Sequence, residues 1–326
     1  MRCIHNTSLD PYFNLAAEEY LLRNTKHDCF MLWRNAPAVI VGKNQNAHAE
    51  INEEYVREND IVVVRRLTGG GAVFHDLGNI NFTFISCGAT HREIDFKRFT
   101  SPIIEALQEM GVNAAFQGRN DLVIDGMKFS GNAQHIEKDR VLHHGTLLYA
   151  SEMADLTRAL KVNPLKFQDK AVKSVRKRVT NISTHLSEQV SVTEFIELLM
   201  TRIEGAATET FRSGLADEEQ AAISTLAKEK YASWDWNFGY SPKYSFSRSF
   251  RTTGGTVEVH LDVREGRIEA ARIFGDFFGI RPVADIETAL RGVRHEREEI
   301  AGVLAGFNLT EYMAGIGIEE LTENMS

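Results

Sequence analysis

The chain has 326 residues, 43% of them hydrophobic, enough for a sizeable core and more than a single small domain needs. Its formal charge of −8, from 37 basic and 45 acidic residues, argues against a general nucleic-acid binder, so any basic site must be local. Cys3, Cys29 and Cys87 are odd in number and lack CxxC spacing, which speaks against a disulfide framework or a zinc ribbon. No signal peptide and no apolar run of membrane-spanning length is legible, so a soluble cytoplasmic protein is expected.

Taken in order, Asp10 followed by Pro11 caps and opens a helix over 12–23. Two short strands follow at 30–34 and 39–41, joined through Asn35-Ala36-Pro37, then a polar loop at 42–46 and a charged surface helix over 51–59. The β-branched run Ile61-Val62-Val63-Val64 reads as a buried strand, and it ends in Arg65-Arg66-Leu67-Thr68-Gly69-Gly70-Gly71-Ala72-Val73-Phe74-His75-Asp76. Residues 80–85 alternate apolar and polar, a strand signal. A second helix over 96–110 gathers Phe99, Ile103, Ile104, Leu107 and Met110 on one face and stops at Gly111. Asp125-Gly126 marks a hairpin turn that puts Lys128 early on the return strand.

His143-His144-Gly145-Thr146-Leu147-Leu148-Tyr149 predicts another strand, and 153–160 a short helix. Residues 166–178 carry six Lys or Arg against one Asp, which fits either a solvated surface segment or a mobile anion-binding loop. Helices are predicted over 195–203 and 218–231, and the tryptophans of Trp234-Asp235-Trp236-Asn237-Phe238-Gly239 are expected to pack. After Ser241-Pro242 a three-stranded meander (244–251, 255–263, 267–273) and helices near 286–290, 296–305 and 310–314 describe a small domain.

A glycine run alone is as consistent with a tight connection as with an anion cradle. The flanking Arg-Arg and His-Asp favour the cradle, because backbone amides without Cβ atoms approach an oxyanion closely and arginine adds a permanent charge. Neither a GxSxG elbow nor a P-loop is present. A positive, glycine-lined pocket without a nucleophile suits activation of a carboxylate by a nucleotide, where positioning and electrostatics carry the reaction.

The stretch Arg65 to Asp76 resembles the RRxxGGGxVxHD loop of the lipoate–protein ligase A family. Gly118-Arg119-Asn120-Asp121-Leu122, Lys128-Phe129-Ser130-Gly131, His143 to Leu148, Ser174 to Asn181 and Trp234 to Gly239 resemble its GRNDL, KxSG, HHGTLL, SVRxRVTN and WxWNFG segments, in the same order. The resemblance implies an α+β fold: a mixed sheet flanked by helices over 1–240, as in the biotin/lipoate ligase catalytic fold, and a small α+β accessory domain over 243–326. It implies ATP-dependent formation of lipoyl-AMP, then transfer to a lysine of an apo carrier, the glycine-cleavage H protein or an E2 lipoyl domain, with no nucleic-acid or membrane partner.

By motif position, Lys128 would bridge the carboxylate and the α-phosphate as the catalytic residue. Arg66, Gly71, Ala72, Val73 and Phe74 would contact the nucleotide and the activated acid. Arg65, His75, Ser130, Gly131 and His144 would belong to the lipoate pocket, although His75 could equally hydrogen-bond a loop carbonyl. Lys173, Ser174, Val175 and Arg176 would form the adenylate-binding loop. Mg²⁺ would accompany the triphosphate, with Asp121 on its side or simply capping a turn.

Two same-fold rivals and one of another class compete. An octanoyl or lipoyl transferase needs a reactive cysteine, and Cys87, the nearest, follows an apolar strand and is expected to be buried. A biotin ligase would carry a different glycine–arginine loop, and a non-catalytic lipoate- or carrier-binding module would have little use for Lys128.

Overall fold

The computed structural model describes residues 1–45, 47–88, 94–152, 158–160, 179–238, 246–264, 267–295 and 297–325. An eight-stranded mixed sheet runs in the order β11 (Phe211–Arg212), β1 (Arg2–His5), β2 (Cys29–Trp33), β6 (Asn79–Ser86), β10 (Arg140–Leu148), β9 (Met127–Glu137), β8 (Asp121–Ile124), β7 (Ala114–Gln117). β1 lies parallel to β2 and β11; the other pairings are antiparallel. A second sheet, β4 (Val62–Arg65), β3 (Ala38–Val41), β5 (Val73–His75), carries the glycine loop between β4 and β5.

Helix α1 (Pro11–Asn24) begins as the sequence predicts, with the Asp10 carboxylate accepting from the Tyr12 amide and proline in the first turn. The short helices α2 (Ala47–Glu50) and α3 (Glu53–Glu58) follow β3. Helices α4 (Phe96–Glu109) and α5 (Val192–Ala206) cover one face of the large sheet: Phe99, Ile103 and Leu107 from α4 and Phe195, Leu199 and Ile203 from α5 pack with Phe30, Leu32, Ile80, Phe82 and Leu147. The other face receives α1 and the second sheet, through Leu15, Leu22, Met31, Trp33, Ile40 and Val64. The carboxylate of Glu19 ties α1 to the turn after α6 (Asp217–Leu226), accepting from Tyr231 Oη at 2.6 Å and Lys230 Nζ at 2.7 Å.

The meander expected in the tail is present as β12 (Phe246–Thr252), β13 (Gly255–Arg264) and β14 (Arg267–Gly275). With the terminal helices it encloses its own core of Val257, Leu261, Ile273, Ile286, Leu304 and Met313. Strand β1, the edge strands β7 and β11, and the last helix, Ile318–Glu323, have sequence signals too short to stand out. Residues 153–157 and 161–178, the basic run 166–178 among them, lie outside the described residues, as does Ser241-Pro242.

One departure decides where the site lies. The alternation of β6 suggests one wet face, yet every residue of β6 is buried. Its polar positions Asn79, Asn81 and Thr83 face α1 and the second sheet rather than solvent. Cross-strand partners share a face, so register aligns two rows on that side: Trp33, Asn81 and Thr146, and beside it Met31, Thr83, His144 and Ala133. Gly131 and Asp121 extend the first row, the Gly131 amide donating to Thr146 Oγ1 at 3.3 Å. From β2 to β8 the row crosses four strand spacings, roughly 19 Å.

The β8–β9 hairpin turns through Asp125 and Gly126, both left-handed (φ 51° and 79°), the conformation of a type I′ turn. Replacing Gly126 by Ala should destabilise the protein by about 1 kcal/mol, because a Cβ is disfavoured at positive φ. Urea denaturation of the two proteins checks this; an unchanged midpoint would show that the turn does not hold the register.

Candidate active site

Arg65, the last residue of β4, and Arg66, which follows it, point to opposite sides, as successive residues of an extended chain do. Arg65 turns away from the glycine loop: its guanidinium donates to Trp236 O at 3.0 Å, Gln45 O at 2.6 Å, Gly42 O at 2.9 Å and Asn237 O at 2.9 Å. Trp236 in turn donates from its indole to Arg65 O at 2.8 Å, so this tryptophan packs as expected, whereas Trp234 is 63% exposed. Arg66 folds under the loop and donates to Thr68 Oγ1 at 2.8 Å, Ile40 O at 3.1 Å, Gly69 O at 2.7 Å and Gly71 O at 2.9 Å. Burial lowers its pKa to about 10, which leaves it charged at neutral pH.

A cavity of about 550 Å³ opens above the row of strand residues. Arg66, Gly71, Ala72, Val73, Phe74, His75, Asp121, Lys128, Ser130, Gly131 and His144 all line it. Arg65 does not, and residues 173–176 lie outside the described residues. One end is cationic. Lys128 Nζ sits 2.7 Å from Asp121 Oδ1, both side chains being about two-fifths exposed, and Arg119 stands beside them. Gly131 makes room for this lysine, since a Cβ there would lie 3.1 Å from Nζ. Val179 bridges Lys128, and the Thr180 amide donates to Lys128 O at 2.9 Å.

The other end is closed and mostly apolar, with Leu15, Trp33, Ile40 and Leu148, but three buried polar atoms there lack partners: His75 Nε2, Asn79 Oδ1 and Asn81 Nδ2. The Asn35 amide donates to His75 Nδ1 at 3.0 Å, which puts the ring proton on Nε2, toward the cavity. Thus His75 bonds a side-chain amide and not a loop carbonyl. The two histidines of the HHGTLL segment part ways by strand alternation. His143 faces the core, stacked on Phe99 and Phe82, and His144 faces the cavity.

The tail also reaches the site. Arg251, Asp276 and Phe278 line the cavity, Phe278 lies over the Arg119 guanidinium (4.5 Å to the ring centroid), and the Gly70 amide faces Phe277 O at 3.4 Å. None of these tail residues, nor Asn79, Asn81 and Trp33, is singled out by motif. The buried polar positions of β6 had a signal in the alternation; the tail residues had none. Among the described residues no cysteine lines the cavity, and Cys87 is only half-buried, bonded weakly to backbone carbonyls at Thr25 and His27. No group of three or more His, Cys, Asp or Glu that could hold a metal occurs among them either, and no helix among them is long and apolar enough to cross a membrane.

The family model "Lipoyl protein ligase A/B catalytic domain" matches residues 10–204, and "Bacterial lipoate protein ligase C-terminus" matches 241–325. The chain is 44% identical to lipoate–protein ligase 1 of Staphylococcus aureus over the whole of both sequences. Among solved structures, P. falciparum LipL1 in complex with lipoate superposes with a TM-score of 0.79 at 26% identity, covering 94% of this chain and 95% of that one. A bipartite lipoate protein ligase from Thermoplasma acidophilum, described with its E2 lipoyl domain, gives 0.65 at 27% identity over 75% of this chain and 98% of that chain.

Burial pushes the His75 pKa down to about 3, with Arg66 and His144 adding to the effect. Below its ordinary pKa the unfolded chain takes up a proton that the folded chain refuses, so stability falls as pH drops from about 6.5 toward 3. Between pH 7 and 5 this one group should cost about 2 kcal/mol. His75→Asn should therefore lose that much less stability than the wild type over the same interval, as measured by urea midpoints at both pH values. Equal losses would mean that His75 is solvated and titrates normally.

Proposed function

The chain belongs to the lipoate–protein ligase family, and from that premise we propose that the cavity holds lipoate and ATP together and releases lipoyl-AMP only to a carrier lysine. The protein ligates lipoate to protein; its mechanism follows from the shape and charge of the site. The observation that carries it is one cavity with a closed apolar end at Trp33, Leu15 and Leu148 and a cationic, glycine-lined end at Lys128. The row of about four strand spacings, ~19 Å, accommodates an extended eight-carbon acid with its head group.

In the first step a carboxylate oxygen of lipoate attacks the α-phosphorus and pyrophosphate leaves. In the second, the carrier amine attacks the carbonyl of the mixed anhydride and AMP leaves with the bonding pair. Lys128 is the group suited to stand between carboxylate and α-phosphate. Its pair with Asp121 is half-exposed and so contributes at most about 1 kcal/mol, which lets an incoming oxyanion compete for the ammonium. Arg66 supports the loop from beneath: its hold on Gly69 O and Gly71 O turns carbonyls away from the cavity, so that Gly71, Ala72 and Val73 can offer amides.

The carboxylates of Asp121 and Asp276 lining the cavity fit a magnesium ion held chiefly by phosphates and water, whose contribution would be to neutralise the triphosphate. Lys173, Ser174, Val175 and Arg176 are assigned to the adenylate-binding loop on their motif; the pairing of neighbouring Val179 and Thr180 with Lys128 supports that assignment. His75, Ser130, Gly131 and His144 belong to the acid's side of the site, while Arg65 acts from outside it by fixing β4. We divide the chain into a catalytic domain over 1–240 and an accessory domain over 243–326, in keeping with the separate cores and the two family matches. The carrier is an E2 lipoyl domain or the H protein, and free Cys3, Cys29 and Cys87 suit the cytoplasm.

Lipoate-dependent ATP–pyrophosphate exchange tests the first step, and the mass of apo carriers after incubation tests the second. Lys128→Ala should lower exchange about a hundredfold or more while melting as the wild type does. Cys87→Ser should keep full activity; its inactivation would turn the reading toward an enzyme thioester.

A further inference from the structure

Beneath the cavity lies a buried carboxylate that none of the steps above uses. Glu18, 3% exposed, projects from α1 onto the second row of sheet residues, whereas its neighbour Glu19 turns to Tyr231 and Lys230. Thr83 Oγ1 donates to Glu18 Oε1 at 2.6 Å, and His144 Nδ1 lies 2.9 and 3.0 Å from the two carboxylate oxygens. A carboxylate accepts only, so both partners must donate to it.

That requirement, with a single proton on the His144 ring, orders everything connected to it. In the tautomer with a single proton on Nδ1, His144 presents Nε2 as an acceptor, and Thr68 Oγ1, 2.8 Å away, donates to it. The Thr68 oxygen is then free to accept from Arg66 Nε at 2.8 Å. On the other side, Thr83 has given its proton to Glu18 and accepts from Trp33 Nε1 at 2.9 Å. Two arms thus converge on one carboxylate. Arg66, Thr68 and His144 form the arm that begins under the glycine loop, and Trp33 and Thr83 form the arm that begins at the closed end of the cavity. Arg66, His144 and Trp33 all line the cavity.

We infer that Glu18 is a positioning residue whose buried carboxylate sets the direction of both arms, so that the glycine loop and the floor of the acid pocket are held in one arrangement. The inference rests on the reading of the cavity as the adenylation site. Without the charge, His144 can move its proton to Nε2, Thr68 can turn its hydroxyl, and Arg66 Nε loses its acceptor. The loop then samples other shapes while the apolar walls of the pocket remain. Chemistry should suffer more than acid binding.

Lipoate-dependent ATP–pyrophosphate exchange with Glu18→Gln, Thr68→Val and the double variant is the test, alongside ¹⁵N NMR of His144 in the wild type. We expect Glu18→Gln to lower kcat about tenfold or more with the KM for lipoate changed less than about threefold. The double variant should be no worse than Glu18→Gln within about twofold, because both changes cut one chain. The His144 spectrum should show a proton on Nδ1 and none on Nε2. A double loss equal to the product of the single losses, a Glu18→Gln enzyme with wild-type kcat, or a wild-type His144 protonated at Nε2 overturns the inference; the spectrum decides it even if Glu18→Gln does not fold. Absence of exchange in the wild type would instead refute the adenylation reading itself.

Discussion

The active region depends on a cation that has no ion-pair partner among its hydrogen bonds. Arg66 is buried and spends its donors on the hydroxyl of Thr68 and three backbone carbonyls, two of them in the loop it supports. Burying an unpaired charge is expensive, and the depressed pKa of Arg66 records that expense. Carbonyl oxygens satisfy the guanidinium without cancelling its charge, so the positive potential is left for the cavity. An Asp or Glu in direct contact would have stabilised the arginine and erased that potential. The carboxylate of Glu18 is held one histidine and one threonine away.

Folding the loop over this cation imposes backbone contacts that only glycine allows. A Cβ on Gly42 would lie 2.0 Å from Gly70 O, and one on Gly69 would lie 2.5 Å from Phe277 O. Gly70 itself is left-handed, at φ 93°. The glycines are therefore needed for packing between the β3–α2 loop and the tail, besides the approach of an oxyanion that the proposed function asks of them. The tail contact is backbone to backbone at the loop and aromatic at Phe278, where Arg119 and Phe96 meet the same ring. Part of the glycine pattern is thus an imprint of the tail that packs against the loop.

Much of this was legible in the sequence, because its signals were local. The cap at Asp10, the Asp125-Gly126 turn, the amphipathic helix at Phe96–Glu109 and the glycine loop each depend on neighbouring residues. The candidate site residues that the structure describes line one cavity, apart from Arg65, whose adjacency to Arg66 concealed that the two side chains go to opposite sides. What stayed hidden was non-local. Asn79 and Asn81 look like the wet side of a strand until a second sheet is laid over them, and Arg251, Asp276 and Phe278 come from a different domain. Glu18 sits beside another glutamate in a helix with no motif, and only the pairing of β6 with β10 shows which of the two faces the site.

On the proposed reading of the site, the contrast between Arg66 and Lys128 gives the two cations different work. Arg66 is locked by its own loop and cannot follow a moving charge; it sets a fixed field. Lys128 is half-exposed on a flexible stem, held by one carboxylate that shares its exposure, and its ammonium can shift with an oxyanion as bonds to phosphorus change. During adenylation negative charge moves from the carboxylate and the α-phosphate toward the departing pyrophosphate, and during transfer it returns to AMP. A rigid donor stabilises the place where charge accumulates, and a mobile one accompanies its redistribution.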